Sequence, residues 1–153
     1  MCSLLISDIW LSIFNTFGNM KEIIQLELLS KYHQHIIRTH VWNIEIFIKN
    51  DKILEHIINN YKMKNMNINR FCDVNIFIDE LKNCHTLDIS CTNITDASVS
   101  ELKNCHTLDL RRTNITDASV SELKNCHTLY LYETKITDEC VNILRSYGCI
   151  VHK

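Results

Sequence analysis

The chain has 153 residues, of which 46% are hydrophobic, and a formal net charge of −2. This length suits one medium domain or two small parts packed together, with enough apolar residues for a proper core. The weak net charge argues against a nucleic acid or an anionic membrane as a partner that is bound by charge alone.

We expect neither secretion nor membrane insertion. The start of the sequence lacks the basic head of a signal peptide, Asp8 interrupts the short apolar run there, and no apolar run reaches the length of a membrane span. Eight cysteines would be typical of a small secreted protein, but three of them recur in one slot of a repeat, as buried small hydrophobes do. We therefore expect a cytoplasmic protein with reduced thiols.

Residues 1–42 are predicted to form three short helices. Apolar residues fall at helical spacing between Leu5 and Phe14, and two further helices are expected over residues 21–30 and 31–39. Helices this short cannot form an independent core, so they should pack against the rest of the chain. One interpretation is a helical cap, which any repeat protein needs at the open end of its core.

The same residues resemble an F-box, whose pattern is L-P-x-E-I-x-x-x-I-F, then L-x-L-V-S-K, then a closing L-W. The matching segments are LISDIWLSIF at 5–14, IQLELLSK at 24–31, and Trp42, while Ile6 stands at the usual proline position and His33 at that of a tryptophan. The resemblance implies binding to the S-phase-kinase-associated adaptor of cullin ubiquitin ligases. The residues implied in adaptor binding are Leu5, Ile9, Ile13, Phe14, Leu26 and Leu29.

Residues 43–80 are predicted to be degenerate repeat copies. Residues 44–48 alternate as a strand does, and residues 66–68 lie 21 positions before the strand of the first clear copy. Residues 51–61 have helical spacing. The side chains expected to face inward from this helix are Ile53, Leu54, Ile57 and Ile58.

A 21-residue unit is repeated from residue 81 onward. Residues 81–101 read LKNCHTLDISCTNITDASVSE, residues 102–122 differ from them at three positions, and a third copy keeps the pattern from residue 123 through Asp138. Tandem copies at this period predict a solenoid, in which each unit buries its apolar face against its neighbours.

Each copy follows the leucine-rich-repeat pattern L-x-x-L-x-L-x-x-N-x-L. The slots of the first copy hold Cys84, Leu87, Ile89, Thr92 and Ile94. Leu87 and Ile89 should point to one side of a short strand, the Thr92 hydroxyl should hydrogen-bond loop backbone, and Thr95 or Asp96 should cap a short helix. The predicted fold is α/β, a short leucine-rich-repeat solenoid of parallel strands and short helices, preceded by the helical F-box-like segment.

The end of the chain is predicted to be an edge strand at residues 149–152. Ile150 lies 21 residues after Leu129, and Gly148 suits the position just after a helix. The expected organisation is an F-box-like segment at 1–42, degenerate repeats at 43–80, and three regular repeats with the edge strand at 81–153.

Three Cys-His dipeptides invite a zinc hypothesis. They are Cys84–His85, Cys105–His106 and Cys126–His127. Each cysteine takes an inward slot, the adjacent histidine should point away along an extended segment, and no C-x-x-C or H-x-x-x-H pair occurs. We expect no metal and no cofactor. The histidines should instead stack on the surface at about 5 Å spacing and lower one another's pKa values.

We also expect no enzymatic activity. The sequence offers no base and orienting group for a catalytic cysteine, no glycine-rich phosphate loop and no paired carboxylates. The repeated Asp96, Asp117 and Asp138 are interpreted as residues that start helices.

The copies differ mainly on the predicted strand face. All changes between the first two copies fall at residues 89–91, whereas Ser98 and Ser100, expected to be equally exposed, are repeated. Drift after duplication is one explanation. The other is a binding surface on the concave face, since arginine and aromatic residues are enriched at interfaces. The expected target-binding residues are Asp88, Ser90, Asp109, Arg111, Tyr130 and Tyr132.

The combination resembles the F-box and leucine-rich-repeat proteins. With abundant Ile, Asn and Lys, no proline and two glycines, it is similar to those encoded by amoeba-infecting giant viruses, which implies the host cytoplasm. The resemblance implies a substrate-recognition subunit of an SCF-type cullin ubiquitin ligase, with the repeats holding an unknown target protein. The alternative is a leucine-rich-repeat scaffold whose N-terminal helices only cap the solenoid.

Overall fold

A six-stranded parallel sheet, with its strands in sequence order, forms the centre of the computed structural model, which describes residues 31–39, 41–68 and 70–153. The strands are β1 (Val41–Ile48), β2 (Lys62–Ile68), β3 (Thr86–Asp88), β4 (Thr107–Asp109), β5 (Thr128–Tyr130) and β6 (Ile150–His152). The α-helices are α1 (Lys31–Thr39), α2 (Asp51–Asn60), α3 (Ile78–Leu81), α4 (Asp96–Glu101), α5 (Asp117–Val120) and α6 (Asp138–Ser146), with 3₁₀ helices at Val74–Phe77 and Ser121–Asn125. Parallel strands with short helices between them confirm the mixed α/β class. Across the described part of the chain, no helix combines the length and hydrophobicity needed to cross a membrane.

The repeat period sets the register of the sheet. Thr86 lies opposite Thr107, and Thr107 lies opposite Thr128, so equal slots of successive copies become neighbours. Met66 lies opposite Leu87, which confirms the predicted strand at 66–68 and extends it to all of β2. The helices predicted at 31–39 and 51–61 and the strand at 44–48 are confirmed as α1, α2 and the second half of β1.

Equal slots also stack into one core. The leucine and cysteine slots are almost completely buried in all three regular copies, at Leu87, Leu108, Leu129, Cys84, Cys105 and Cys126. Burial raises the pKa of the Cys84 and Cys126 thiols to about 12, and it raises the pKa of Cys105 as well. The inward orientation predicted for these side chains is confirmed.

The threonine in the asparagine slot supports the bend after each strand. Thr92 donates its hydroxyl proton to the carbonyl of Ile89 at 2.7 Å, and Thr113 donates to Leu110 at the same distance. Thr134 repeats this hydrogen bond in the third copy. The predicted bond from the hydroxyl to loop backbone is therefore confirmed.

The helix starts show which of the two predicted caps is used. Thr95 caps α4, because its hydroxyl oxygen accepts a hydrogen bond from the Ser98 N–H at 3.3 Å. Asp96 is the first residue of α4, but its carboxylate binds the next copy, accepting from the Thr116 N–H at 2.8 Å and the Thr116 hydroxyl at 2.7 Å. The carboxylate thus connects two copies instead of capping its own helix.

The last strand is shifted by one residue from the predicted register. Val151, not Ile150, lies opposite Leu129, so Val151 is buried while Ile150 is 48% exposed. The extra residue fits at the end of α6, where Gly148 has φ of 92° and donates its N–H to the carbonyl of Arg145. Glycine adopts this left-handed conformation without a steric cost.

One expectation about exposure is wrong, and a repeated serine differs in burial between copies. Leu54 and Ile57 are buried and Ile58 is partly buried, but Ile53 is 42% exposed, because α2 presents only one narrow face to the core. Ser119 is fully buried whereas its equivalent Ser98 is half-buried. The repeated helix serines are therefore not equally exposed, and their identity between copies says little about selection on the surface.

Candidate functional site

The face of the sheet opposite the core carries a row of side chains that crosses all six strands. Alternate residues of a strand point to opposite faces, so the residues between the buried slots share this outer face. The register aligns Phe47, Asn67, Asp88, Asp109, Tyr130 and His152, which we call the central row. Three of the six predicted target-binding residues lie in it.

The other three predicted residues lie two positions further along each copy. Ser90, Arg111 and Tyr132 line one cleft of about 360 Å³ beside the central row. The structure therefore brings all six predicted target-binding residues to one continuous surface. Tyr132 is the most exposed aromatic residue of this group, at 48%.

Asp109 and Arg111 form an ion pair on this surface. The Arg111 Nε lies 2.9 Å and 2.8 Å from the two Asp109 oxygens, and its Nη2 lies 2.6 Å from Oδ2. The guanidinium carbon also lies 5.7 Å from the centre of the Tyr130 ring. Asp109 raises the pKa of Arg111, and the arginine is held charged between a buried carboxylate and an aromatic face.

An aromatic stack occupies the C-terminal end of the central row. The Tyr130 ring and the His152 imidazole are parallel within 10°, with their centres 4.7 Å apart. Stacking restricts the orientation of the half-buried tyrosine ring, so less side-chain entropy is lost when the ring binds a partner.

The predicted target-binding residues leave out those that directly follow Ser90, Arg111 and Tyr132. Cys91, Arg112 and Glu133 also line the cleft, and they have φ of 60°, 58° and 56°. This left-handed conformation is costly for residues other than glycine. The available signal was the change from Cys91 to Arg112 between two copies that are otherwise almost identical.

Three histidines form a stacked ladder next to the threonines that begin β3, β4 and β5. The ring centres of His85 and His106 are 4.6 Å apart and those of His106 and His127 are 4.5 Å apart, with nearly parallel planes. The predicted stacking is confirmed. Partial desolvation and the two neighbouring imidazoles lower the pKa of His106, as expected.

The cysteines and histidines of the three dipeptides do not converge. Cys105 is buried while His106 is exposed. Over residues 31–39, 41–68 and 70–153, no three His, Cys, Asp or Glu side chains are placed to hold a metal ion.

The predicted adaptor-binding residues cannot be placed on this surface or any other, since they lie outside the described residues. They are Leu5, Ile9, Ile13, Phe14, Leu26 and Leu29. The first described element, α1, buries Ile36 and Ile37 in the core.

No protein-family model matches the chain. A search of curated proteins also finds no match.

Proposed function

We propose that this chain is a non-catalytic substrate-recognition subunit of an SCF-type cullin ubiquitin ligase. Residues 1–42 would be an F-box that binds the S-phase-kinase-associated adaptor, and residues 43–153 a short leucine-rich-repeat solenoid that holds a target protein. The resemblance of residues 5–14 and 24–31 to the F-box pattern supports the first part. The repeated register of β3, β4 and β5 supports the second.

The observation that carries target binding is the clustering of the variable residues. Side chains in the slots that change between copies meet on one outer surface, where Asp88, Asp109 and Tyr130 are neighbours in adjacent strands. Arg111 and the two tyrosines beside it can stack, hydrogen-bond and pair with a carboxylate. Such residues carry much of the energy of protein interfaces.

The proposed mechanism needs no chemistry from this chain. Leu5, Ile9, Ile13, Phe14, Leu26 and Leu29 would contact the adaptor. The outer face would hold the target, so the target's concentration near the ubiquitin-loaded enzyme rises. Binding at both ends of one chain is sufficient for this role.

A scaffold with no role in ubiquitin transfer is the second candidate. Its support is α1, which packs Ile36 and Ile37 against the core as a terminal cap does. Trp42, which closes the F-box-like pattern, is also buried and donates its indole N–H to the carbonyl of Ile37 at 2.9 Å. The two candidates share the solenoid and differ only in whether the N-terminal helices also bind the adaptor.

Titration of the full chain with purified adaptor separates them. We expect binding at micromolar or lower concentration, and its loss in the double variant Ile13→Asp, Phe14→Asp. Ile76→Asp is the matched control, because Ile76 is 66% exposed and belongs to the repeats. Failure of the unaltered chain to bind would remove the ubiquitin role and leave the scaffold.

A further inference from the structure

The central row contains a carboxylate, Asp88, that forms no ion pair within the described part of the chain. In the second copy, Arg111 neutralises Asp109. In the first copy Ser90 stands where Arg111 would be, and the Asp88 oxygens accept hydrogen bonds from the Ser90 N–H at 3.0 Å and the Asn67 amide at 2.9 Å. No basic side chain of the described residues forms an ion pair with Asp88. Two adjacent carboxylates therefore share one guanidinium, which leaves a local excess of negative charge.

The bend after the strand does not need this carboxylate. Asp88 and Asp109 both accept the N–H of the residue two positions later, at 3.0 Å. Tyr130 occupies the same slot in the third copy, and the chain still makes the same left-handed bend, since φ of Glu133 is 56° and φ of Cys91 is 60°. The half-buried charge of Asp88 is therefore not explained by the local fold.

An exposed aromatic ring lies in the same row. Phe47 is opposite Asn67, and Asn67 is opposite Asp88. Phe47 is 66% exposed although its neighbours Ile46 and Ile48 are buried. Two strand spacings of about 4.8 Å separate Phe47 from Asp88, so the Cα atoms of the two residues are about 10 Å apart along the row.

We infer that this part of the central row docks a segment of the target protein in which a Lys or Arg side chain lies about 10 Å from an apolar side chain. The cation pairs with Asp88, and the apolar side chain covers Phe47. This inference rests on the proposed target-binding role of the outer face and states the chemistry that the face selects. Charge complementarity is the argument for a basic segment, because a partner cation supplies what Arg111 supplies to Asp109 in the next copy.

Panning a random-peptide display library against the immobilised full chain tests the inference. Parallel selections use Asp88→Asn, which keeps an oxygen acceptor for the Ser90 N–H, and Phe47→Ser. The matched control is Asp79→Asn, since the Asp79 carboxylate is exposed and already pairs with Lys82 at 3.0 Å. Circular dichroism verifies that each variant is folded.

We expect enrichment of peptides with a Lys or Arg and a nearby apolar residue. The best synthetic peptide should bind Asp88→Asn at least about tenfold more weakly, as for loss of a charge-assisted hydrogen bond, and should bind Asp79→Asn unchanged. Enriched peptides that lack a cation, or that bind Asp88→Asn as tightly as the unaltered chain, would overturn the inference. The outer face would remain a binding surface. No enrichment at all would overturn both, and the adaptor titration reports separately on the F-box.

Discussion

The carboxylate of Asp117 binds Thr137 of the following copy twice, accepting from its backbone N–H and its hydroxyl at 2.8 Å each. Asp96 binds Thr116 in the same way, and the Asn75 oxygen accepts the Thr95 N–H at 3.0 Å in the copy before. These bonds form a ladder along the helix side of the molecule. Because Thr95 and Thr137 also cap helices, the ladder fixes both where a helix begins and how it sits on its neighbour.

Replacing Asp96 with alanine should therefore destabilise the fold. The variant loses two hydrogen bonds between copies, which we expect to cost roughly 1 kcal/mol after allowing for solvent screening. Urea unfolding of Asp96→Ala measures the cost, with Asp79→Ala as the control for loss of an exposed carboxylate. Equal stability of the two variants would show that the ladder does not hold the copies together.

The same bonds predict an acid-sensitive step. The bonds from Thr137 lower the pKa of Asp117, and the bonds from Thr116 outweigh partial burial and lower that of Asp96. A folded-state pKa below the unfolded value means that the unfolded chain binds protons first, so this stabilisation is complete above the unfolded pKa near 4 and is lost as the pH falls below it. In Asp96→Asn, the free energy of unfolding should decrease less as the pH falls below about 4 than it does in the unaltered chain.

The histidine ladder predicts a separate loss of stability at a higher pH. The pKa of His106 is lowered in the folded protein. The unfolded chain therefore binds a proton at this histidine below about pH 6.5, whereas the stacked imidazole of the folded protein is protonated only at a lower pH. Stability should fall as the pH decreases from 6.5, and His106→Asn should reduce this dependence. His35→Asn, at an exposed position of α1, is the control for loss of a histidine outside the stack. The midpoint of thermal unfolding between pH 5 and 7.5 is the measurement, and identical curves for His106→Asn and the unaltered chain would contradict the interpretation.

Much of the core could be predicted because the 21-residue period is kept. Leu87, Leu108 and Leu129 had to be neighbours once the unit was recognised, and they are. The one-residue shift in the register of β6 could not be predicted, since Gly148 is the sequence feature that accompanies the added residue. The bond from Asp96 to the next copy was missed because its partner, Thr116, lies 20 residues away. A sequence pattern does not show whether Asp96 or the adjacent Thr95 is the N-cap.

Two segments with identical sequences adopt different conformations in neighbouring copies. Residues 95–106 and 116–127 have the same sequence, yet α4 is a six-residue α-helix while α5 has four residues and continues as a 3₁₀ helix. The Ser98 hydroxyl reaches Asn75 of the preceding copy, whereas the Ser119 hydroxyl bonds the carbonyl of Thr116 and is buried. Local sequence could not predict this difference. The proposed target-binding surface could be predicted only where copies differ, so Phe47 was not among the predicted residues.

The left-handed residues predict that one substitution to glycine is stabilising. Cys91 has φ of 60°, and glycine there avoids a steric cost of about 1–2 kcal/mol while losing about 0.5–1 kcal/mol to the entropy of the unfolded chain. We expect Cys91→Gly to raise stability in urea by about 0.5–1 kcal/mol. Ser100→Gly, in the helical region of α4, should lower it, and a loss of stability in both variants would contradict the left-handed assignment.

Thiol labelling should distinguish the exposed cysteine from the buried ones. Cys91 is exposed, whereas Cys84, Cys105 and Cys126 are buried with raised pKa values. The thiolate is the reactive form, so the three buried thiols should label much more slowly than Cys91 in the folded protein and equally fast in urea. Peptide-level mass spectrometry reads each site, and metal analysis should find no stoichiometric zinc. Bound zinc that is lost in Cys105→Ser would overturn the packing role.

The variable residues of the outer face should dominate target binding. Arg111 is held by Asp109 and lies over Tyr130, and Tyr132 is exposed in the adjacent cleft. We expect Arg111→Ala or Tyr132→Ala to weaken target binding roughly thirtyfold, which corresponds to about 2 kcal/mol for a hot-spot residue. Adaptor binding should be unchanged in both variants, because it depends on residues 1–42.

The controls for that measurement must come from exposed positions on the helix side. Ser98 and Ser119 are unsuitable, since the first bonds Asn75 and the second is buried. Lys103→Ala and Glu122→Ala change exposed side chains outside the strands and should leave target affinity within about twofold, as surface substitutions away from an interface do. If these two variants lose the target while Arg111→Ala and Tyr132→Ala retain it, the target binds the helix side, and the differences among the copies at Asp88, Asp109 and Tyr130 reflect drift after duplication.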